Sequence, residues 1–332
     1  MKHTFFFDRG VYLAEGCAVA GPKEAEGPLG AFFDKTYDSL QSPGKSWEET
    51  EIRMQKDALD LLLAKTRRKE GSVELLLGGD LINQLTITNF AAKERDIPFL
   101  GLYNACATMA EGMLLAASLI GGGFLSNAAV VASSHNAASE RQYRYPTELG
   151  VLRPECSQCT VTAAGAMLFE KTASPIKVTC GTVGTVVDYG VKDPCDMGAA
   201  MAPAAFHTIK EHWEHTHRSY DDYDLICTGD LGIHGHDILL EMIRKEYGMA
   251  DERLQDSGMW IYQKKQGVFC GGSGAGCSAA VWSTYVFDAL RRKKYHRVLL
   301  IGTGALLSPV SVGQGNSIPA IAHGVELERE EN

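Results

Sequence analysis

The sequence predicts an α/β protein made of two similar halves, residues 1–172 and 173–332. Three observations carry that reading. Short apolar segments alternate with longer helical ones along the chain, the order that packs helices onto sheets. The helix over residues 106–120 is apolar nearly all round, broken only by Thr108, Glu111 and Ser118, so it belongs inside a large protein. A second small-residue turn and buried helix, GGSGAGCSAAVWSTYVFDAL, leads to VLLIGTGA as the first leads to VVASSH, which argues for a duplicated unit.

Residues 4–7 and 11–14 read as an opening strand pair, and residues 21–44, rich in glycine and proline, as a surface loop. Ser46-Trp47-Glu48-Glu49 is a capping box. It opens a helix with Ile52, Leu59, Leu62 and Leu63 on one face, closed by Lys65, Arg67, Arg68 and then Gly71. Residues 73–77 form a buried strand, residues 83–95 a helix and residues 99–103 the next strand. Asn104 turns the chain into the Cys106 helix. Residues 128–132 are another buried strand, followed by Ser133-Ser134-His135. The polar stretch over residues 136–160 reads as an irregular loop that could cover a site. Residues 160–169 return to strand, and their AAGA segment asks for close backbone packing.

The second half begins with a strand pair over residues 176–189 and a long helix over 197–217. A strand over 225–228 leads to Gly229-Asp230-Leu231-Gly232. The next helix, 238–247, is stopped by Gly248. Glycine-rich residues 271–276 precede a helix over 277–292, and strands follow at 298–301 and 325–328.

Composition narrows the function. The net charge of −9, without a long basic run, argues against nucleic acid as a partner. Nine cysteines without disulfide-like spacing, and Asp8 and Arg9 where a signal peptide would be apolar, point to a reduced compartment and no signal peptide. The longest apolar run, residues 112–125, is 14 residues long. That is short of the about 18 that span a bilayer, so membrane association would be peripheral.

Cys106 opens a helix, where the dipole and unpaired N–H groups favour a thiolate or a bound anion. It is either a reactive or ligand-contacting group or a small buried core residue. With the equivalent helix end near Ala275, it could face one anion-friendly cavity between the halves. Gly271 to Gly276 lacks the lysine of a P-loop, and reads as backbone lining of that cavity. His207, His212, His215 and His217 lack a completing ligand set, and no metal is expected. Cys156 and Cys159 form a lone C-x-x-C without redox or zinc context. Among Arg141, Arg144 and Arg153, one could supply the forked donor that a carboxylate prefers. His135 is as well explained by structure as by ligand contact. Asp230 reads as a polar pocket wall, or a partner for calcium arriving with a ligand.

The strand–turn–Cys–helix pattern at Cys106 resembles the thiolase and ketoacyl synthase superfamily over nearly the whole chain. SSHNAASERQYRYPTELG, QCTVTAAGAM, VKDPCDMGAAMAPAA, CTGDLG, FCGGSGAGCSA and TGALLSPVSVGQGNSIPAIAH resemble, more narrowly, the stage V sporulation protein AD family of spore-forming bacteria. The resemblance implies a thiolase fold, with βαβαβαββ halves in αβαβα layers. It implies binding of dipicolinic acid, alone or as its calcium complex, and support of its uptake into the developing spore. No cofactor is implied. The implied partners are membrane subunits of the same system, which would hold the chain at the spore inner membrane. A homodimer is also implied, with the strand after the nucleophile helix (residues 128–132) at its interface.

A thiolase-type enzyme takes bases from its second half. Here those places read Gly229-Asp230 and Gly271-Gly272-Ser273, so Cys106 keeps the nucleophile's address without its partners. The reading is a non-catalytic binder contacting ligand through Cys106, Ser134, His135, Arg144, Asp230, Gly272 and Ser273. The alternative is an acyltransferase or condensing enzyme, with Cys106 acylated and His234 or His236 as base.

Overall fold

The computed structural model describes residues 3–41, 44–144, 153–172, 174–248 and 251–330. Its first-half strands are β1 (Thr4–Phe6), β2 (Tyr12–Ala20), β3 (Lys35–Thr36), β4 (Leu76–Gly79), β5 (Phe99–Gly101), β6 (Asn127–Ser134), β7 (Cys159–Thr160) and β8 (Ala163–Glu170). The second half contributes β9 (Ile176–Thr182), β10 (Leu225–Thr228), β11 (Leu254–Asp256), β12 (Gly272–Ser273), β13 (Arg297–Ala305) and β14 (Ala320–Arg329). The helices are α1 (Pro22–Ala25), α2 (Trp47–Thr66), α3 (Thr86–Ala92), α4 (Thr108–Gly121), α5 (Asn136–Tyr143), α6 (Met197–Thr216), α7 (Gly232–Tyr247), α8 (Ser257–Ile261), α9 (Ala275–Val281), α10 (Phe287–Arg291) and α11 (Pro309–Gly313). A π-helical segment, Trp282–Val286, joins α9 to α10.

The duplication is visible in the strand order. One sheet runs β5-β4-β6-β8-β2 and the other β11-β10-β13-β14-β9. Each has parallel pairs at its start and antiparallel pairs at its end. The pair Tyr12↔Lys177 bridges the sheets. Helix α4 packs against strands of both sheets, and α9 lies beside it on β6 and β8. Helix α2 covers the outer face of the first sheet, and α6 with α7 that of the second. The result is five layers, with α4 and α9 apolar all round because a sheet lies on either side. Gly165 explains the AAGA segment: a Cβ there would lie 2.3 Å from the Ala279 backbone, so only glycine lets α9 sit this close to β8.

Several local expectations are corrected. Strand β1 pairs with β9 rather than with β2. Helix α2 ends at Thr66, because Arg67 itself adopts the left-handed conformation (φ 52°). The Ser46 hydroxyl accepts from Glu49 N–H, but the Glu49 carboxylate accepts from Lys45 N–H, so the capping box is one-sided. The segment over 176–189 is one strand plus a single bridge, Val187↔Ala320. Residues 136–143, read as loop, are helix α5, and α7 begins at Gly232 rather than 238. Residues 128–132, implied at a subunit interface, lie in β6, buried and paired on both edges by β4 and β8. Among the described residues, no helix is long and apolar enough to cross a membrane.

A buried polar network ties α6 to the second sheet. Glu326 on β14 accepts from Tyr223 at 2.9 Å and from Thr179, and forms an ion pair with Arg218. His212 stands 3.4 Å from the same carboxylate and 2.8 Å from Thr182 Oγ1. Burial would raise the Glu326 carboxyl, but the hydrogen bonds of His212 and Thr179 and the Arg218 charge hold it at about 2. Cys180 joins His212 and Glu326 in a cluster whose potential ligand atoms lie within 4.8 Å of one another. The carboxylate oxygens there already have donors.

Candidate functional site

Between the halves lies a cavity of about 330 Å³. This is the small end of the about 300–1,000 Å³ typical of small-molecule sites. The first half contributes Tyr103, Cys106, Ser139, Tyr143, Arg144 and Thr160 to its wall. The second contributes Met197, Ser273, Gly274 and the segment from Ala305 to Pro309.

Cys106 reaches the wall through a tight turn. Strand β5 ends at Gly101, Ala105 adopts φ 49°, and a 3-10 turn over Ala105–Ala107 feeds α4. Asn104 Nδ2 meets His323 Nε2 at 2.8 Å, and Thr108 Oγ1 donates to the Ala105 carbonyl at 2.7 Å, which pins the turn. His323 is kept neutral, its pKa lowered to about 4 by burial.

Beneath the cysteine is Asp230, at the end of β10 and fully buried. Its carboxylate accepts from Thr303 Oγ1 at 2.7 Å, Gly274 N–H at 2.8 Å and Ser273 Oγ at 3.0 Å. The Cys106 thiol lies beside the same carboxylate. Burial, then the charge of Asp230, pushes the thiol well above its ordinary value. Burial likewise raises Asp230. An adjacent base or cation lowers a nucleophilic cysteine; here the neighbour is an acid, and the sign is opposite.

The start of α9 is already occupied. Gly274 N–H goes to Asp230, and Gly276 N–H to Ser134 Oγ at 3.0 Å. The anion expected at this helix end is the protein's own carboxylate. Asp230 is not among the residues lining the cavity, and its oxygens accept from hydroxyl and amide donors.

Of the other residues singled out in the sequence, Arg144 and Ser273 line the cavity with Cys106. Ser134 is buried under α9, donating to the Val161 carbonyl. His135 is spent on the Leu40 carbonyl at 2.8 Å. Gly272 pairs with Cys159 in the β12–β7 ladder, and its neighbour Gly274 faces the cavity instead. His234 is half exposed and sits 3.5 Å from Asp196, while His236 bonds to the Leu254 carbonyl. Neither histidine lines the cavity: α7 starts early, and it leaves His234 half exposed and buries His236 against β11.

The sequence placed an irregular loop over the site here and named Arg144, but neither helix α5 nor Ser139 was legible. Arg144 is gripped by Glu140, and Arg153 reaches the same carboxylate at 2.8 Å. Burial would raise Glu140, but the two guanidinium groups lower it. Thr160 Oγ1 also donates to Glu140, at 2.9 Å. Ser139, one residue earlier, is buried on the cavity wall with no hydrogen-bond partner among the described residues. Its buried helix face is Ala137, Ala138, Ser139 and Glu140, which gives no apolar periodicity to read.

The stage V sporulation protein AD (SpoVAD) family model matches residues 1–328. The chain belongs to the stage V sporulation protein AD family. It is 44% identical over 328 residues to stage V sporulation protein AD of Bacillus subtilis (strain 168), covering 99% of this chain and 97% of that protein. Solved structures of similar fold include 3-oxoacyl-(acyl carrier protein) synthase III (FabH) of Xanthomonas oryzae, with a TM-score of 0.60, 15% identity and 96% and 99% of the two chains covered. A variant of Xanthomonas campestris OleA gives a TM-score of 0.61 at 13% identity, with 99% of each chain covered. The sporulation family therefore carries a thiolase-like fold, and in this chain Cys106 lies beside the buried acid Asp230.

Proposed function

We propose that this chain is a non-catalytic ligand-binding protein of sporulation. It takes dipicolinic acid, alone or as the calcium complex, into the cavity between its halves and supports uptake of that ligand into the developing spore. It works at the spore inner membrane, held there by membrane subunits of the same system. The observation that carries the non-catalytic part is the surroundings of Cys106: burial and the Asp230 charge both push its thiol up, and no histidine among the described residues lines the cavity. A thiol held protonated beside a buried carboxylate is a poor nucleophile. The small size of the cavity and the arginine on its wall suit a compact planar carboxylate.

Calorimetry and thermal shift with dipicolinic acid, with and without calcium, test the binding. Saturable heat and a raised melting temperature are expected; neither appearing at millimolar ligand overturns the proposal. Intact mass after incubation with several acyl thioesters tests the non-catalytic part. A Cys106-dependent adduct that turns over would make the chain an acyltransferase instead.

A further inference from the structure

Glu51 on α2 is a fully buried acid with no base bonded to it. Its Oε1 accepts from Ser133 Oγ at 2.7 Å, and its Oε2 has no partner among the described residues. Gln55, one turn along α2, donates through Nε2 to the Gly79 carbonyl, Thr88 Oγ1 and Ser133 Oγ, and its Oε1 is equally unpartnered. Thr88 Oγ1 carries the chain on to Asp80 Oδ2 at 2.6 Å. Asp80 takes two further donors, Thr88 N–H and Ile82 N–H, each at 2.8 Å. The charges that act on Glu51 are those of Asp80 and Glu48, and Glu48 is paired with Arg141 of α5. His135, before α5, is lowered by burial and bonded to the Leu40 carbonyl. From β6 and α3 come the uncharged Ser133 and Thr88, and β2 and β8 meet α2 through apolar side chains.

A buried carboxylate without a cation is costly, and becoming a neutral acid is the ordinary escape. Asp80, with three donors, is the acid equipped to stay ionised. Glu51, with one donor and one open oxygen, is the acid equipped to keep a proton, and an acceptor is open on the same chain at Gln55 Oε1. Burial raises the Glu51 carboxyl well above its ordinary range, and the Asp80 charge adds to it. Asp80 in turn anchors a strained part of the cavity wall. Between Ile82 and Thr88, which both hang on its carboxylate, Gln84 (φ 62°) and Leu85 (φ 52°) adopt the left-handed conformation. Leu81 and Asn83 of the same turn line the cavity.

We infer that Glu51 carries a proton in the folded chain, and that this proton keeps the Asp80 turn and the Leu81–Asn83 part of the cavity wall in place. Losing it puts two carboxylate charges on one buried hydrogen-bond chain, and the turn held by Asp80 has strain to release. The wall is thus proton-sensitive from behind, through a residue that does not line the cavity.

Urea unfolding of the parent and Glu51→Gln at pH 5, 6 and 7 tests the proton. An unfolded glutamate is ionised above its ordinary 4.5, so a parent that folds with Glu51 protonated loses stability as pH rises, and the glutamine variant is spared that loss. The unfolding constant of the parent relative to that of Glu51→Gln should grow about tenfold from pH 5 to 6 and about tenfold again to pH 7. Glu51→Ala adds a constant loss from the missing side chain but should show the same growth, so a poorly packed glutamine does not spoil the test. A ratio that stays constant with pH in either variant overturns the inference. Amide hydrogen exchange over the same range tests the link to the wall. Protection of residues 81–88 in the parent, relative to Glu51→Gln, should fall as pH rises, while the exposed α11 exchanges equally in both. Equal protection of residues 81–88 at every pH overturns the link.

Discussion

Asp230 of the second half lies fully buried beside the Cys106 thiol of the first, and its charge adds to burial in pushing that thiol up. Cys106 follows β5 and Asp230 follows β10, so the pair joins the two halves at the seam between them. It also reverses the electrostatics that a helix N-terminus alone would give a cysteine.

The first prediction concerns that pair. In Asp230→Asn the amide carbonyl can face Gly274 N–H while the amide N–H donates to Thr303 Oγ1, so the fold is kept. The negative charge is lost. Burial remains the larger cause of the raised thiol, so the cysteine becomes more reactive without becoming an activated nucleophile. Alkylation of Cys106 by iodoacetamide at pH 8, followed by peptide mass, should be slow in the parent and about three- to tenfold faster in Asp230→Asn. Rapid alkylation of the parent at neutral pH would contradict the pairing.

The layered fold was legible because it is written twice. The apolar helices α4 and α9 each follow a short strand and each lead to a longer one, and a helix apolar on all sides has to be sandwiched. What was not legible depends on long-range pairing. Strand β1 crosses to β9 in the other half, which adjacency in sequence does not show. The alternation at the end of β6 sends Ser133 toward Glu51 and Ser134 under α9, so both serines are structural. Helix α5 was read as loop because its buried face is two alanines, a serine and a glutamate held by arginines. Hydrophobic periodicity is silent on such a helix.

The second prediction tests the layer spacing. Gly165→Ala places a methyl 2.3 Å from the Ala279 backbone, a contact that only a shift of α9 away from β8 relieves. Such overpacking costs about 1–3 kcal/mol. Thermal and denaturant unfolding of Gly165→Ala should show a loss of that size. Gly71→Ala, where nothing lies within 4 Å of the added methyl, should stay close to the parent. Equal stability of the two variants would mean that α9 and β8 are not in close contact.

The third prediction follows from Glu326, whose carboxyl is held at about 2 against an ordinary 4.5. A depressed folded-state pKa adds stability that is complete above the unfolded value and is lost as pH falls through the folded one. The window is therefore about pH 5 down to pH 2, and the stability at stake is about 3 kcal/mol. Glu326→Gln keeps the shape but leaves the Arg218 guanidinium without its carboxylate, so it should be less stable than the parent at pH 7. The difference should shrink as pH falls, because protonation removes from the parent what the substitution has already removed from the variant. Urea unfolding at pH 7, 5, 4 and 3 measures both curves. A stability difference that stays constant across the series would show that the Glu326 charge contributes nothing to holding α6 against the second sheet.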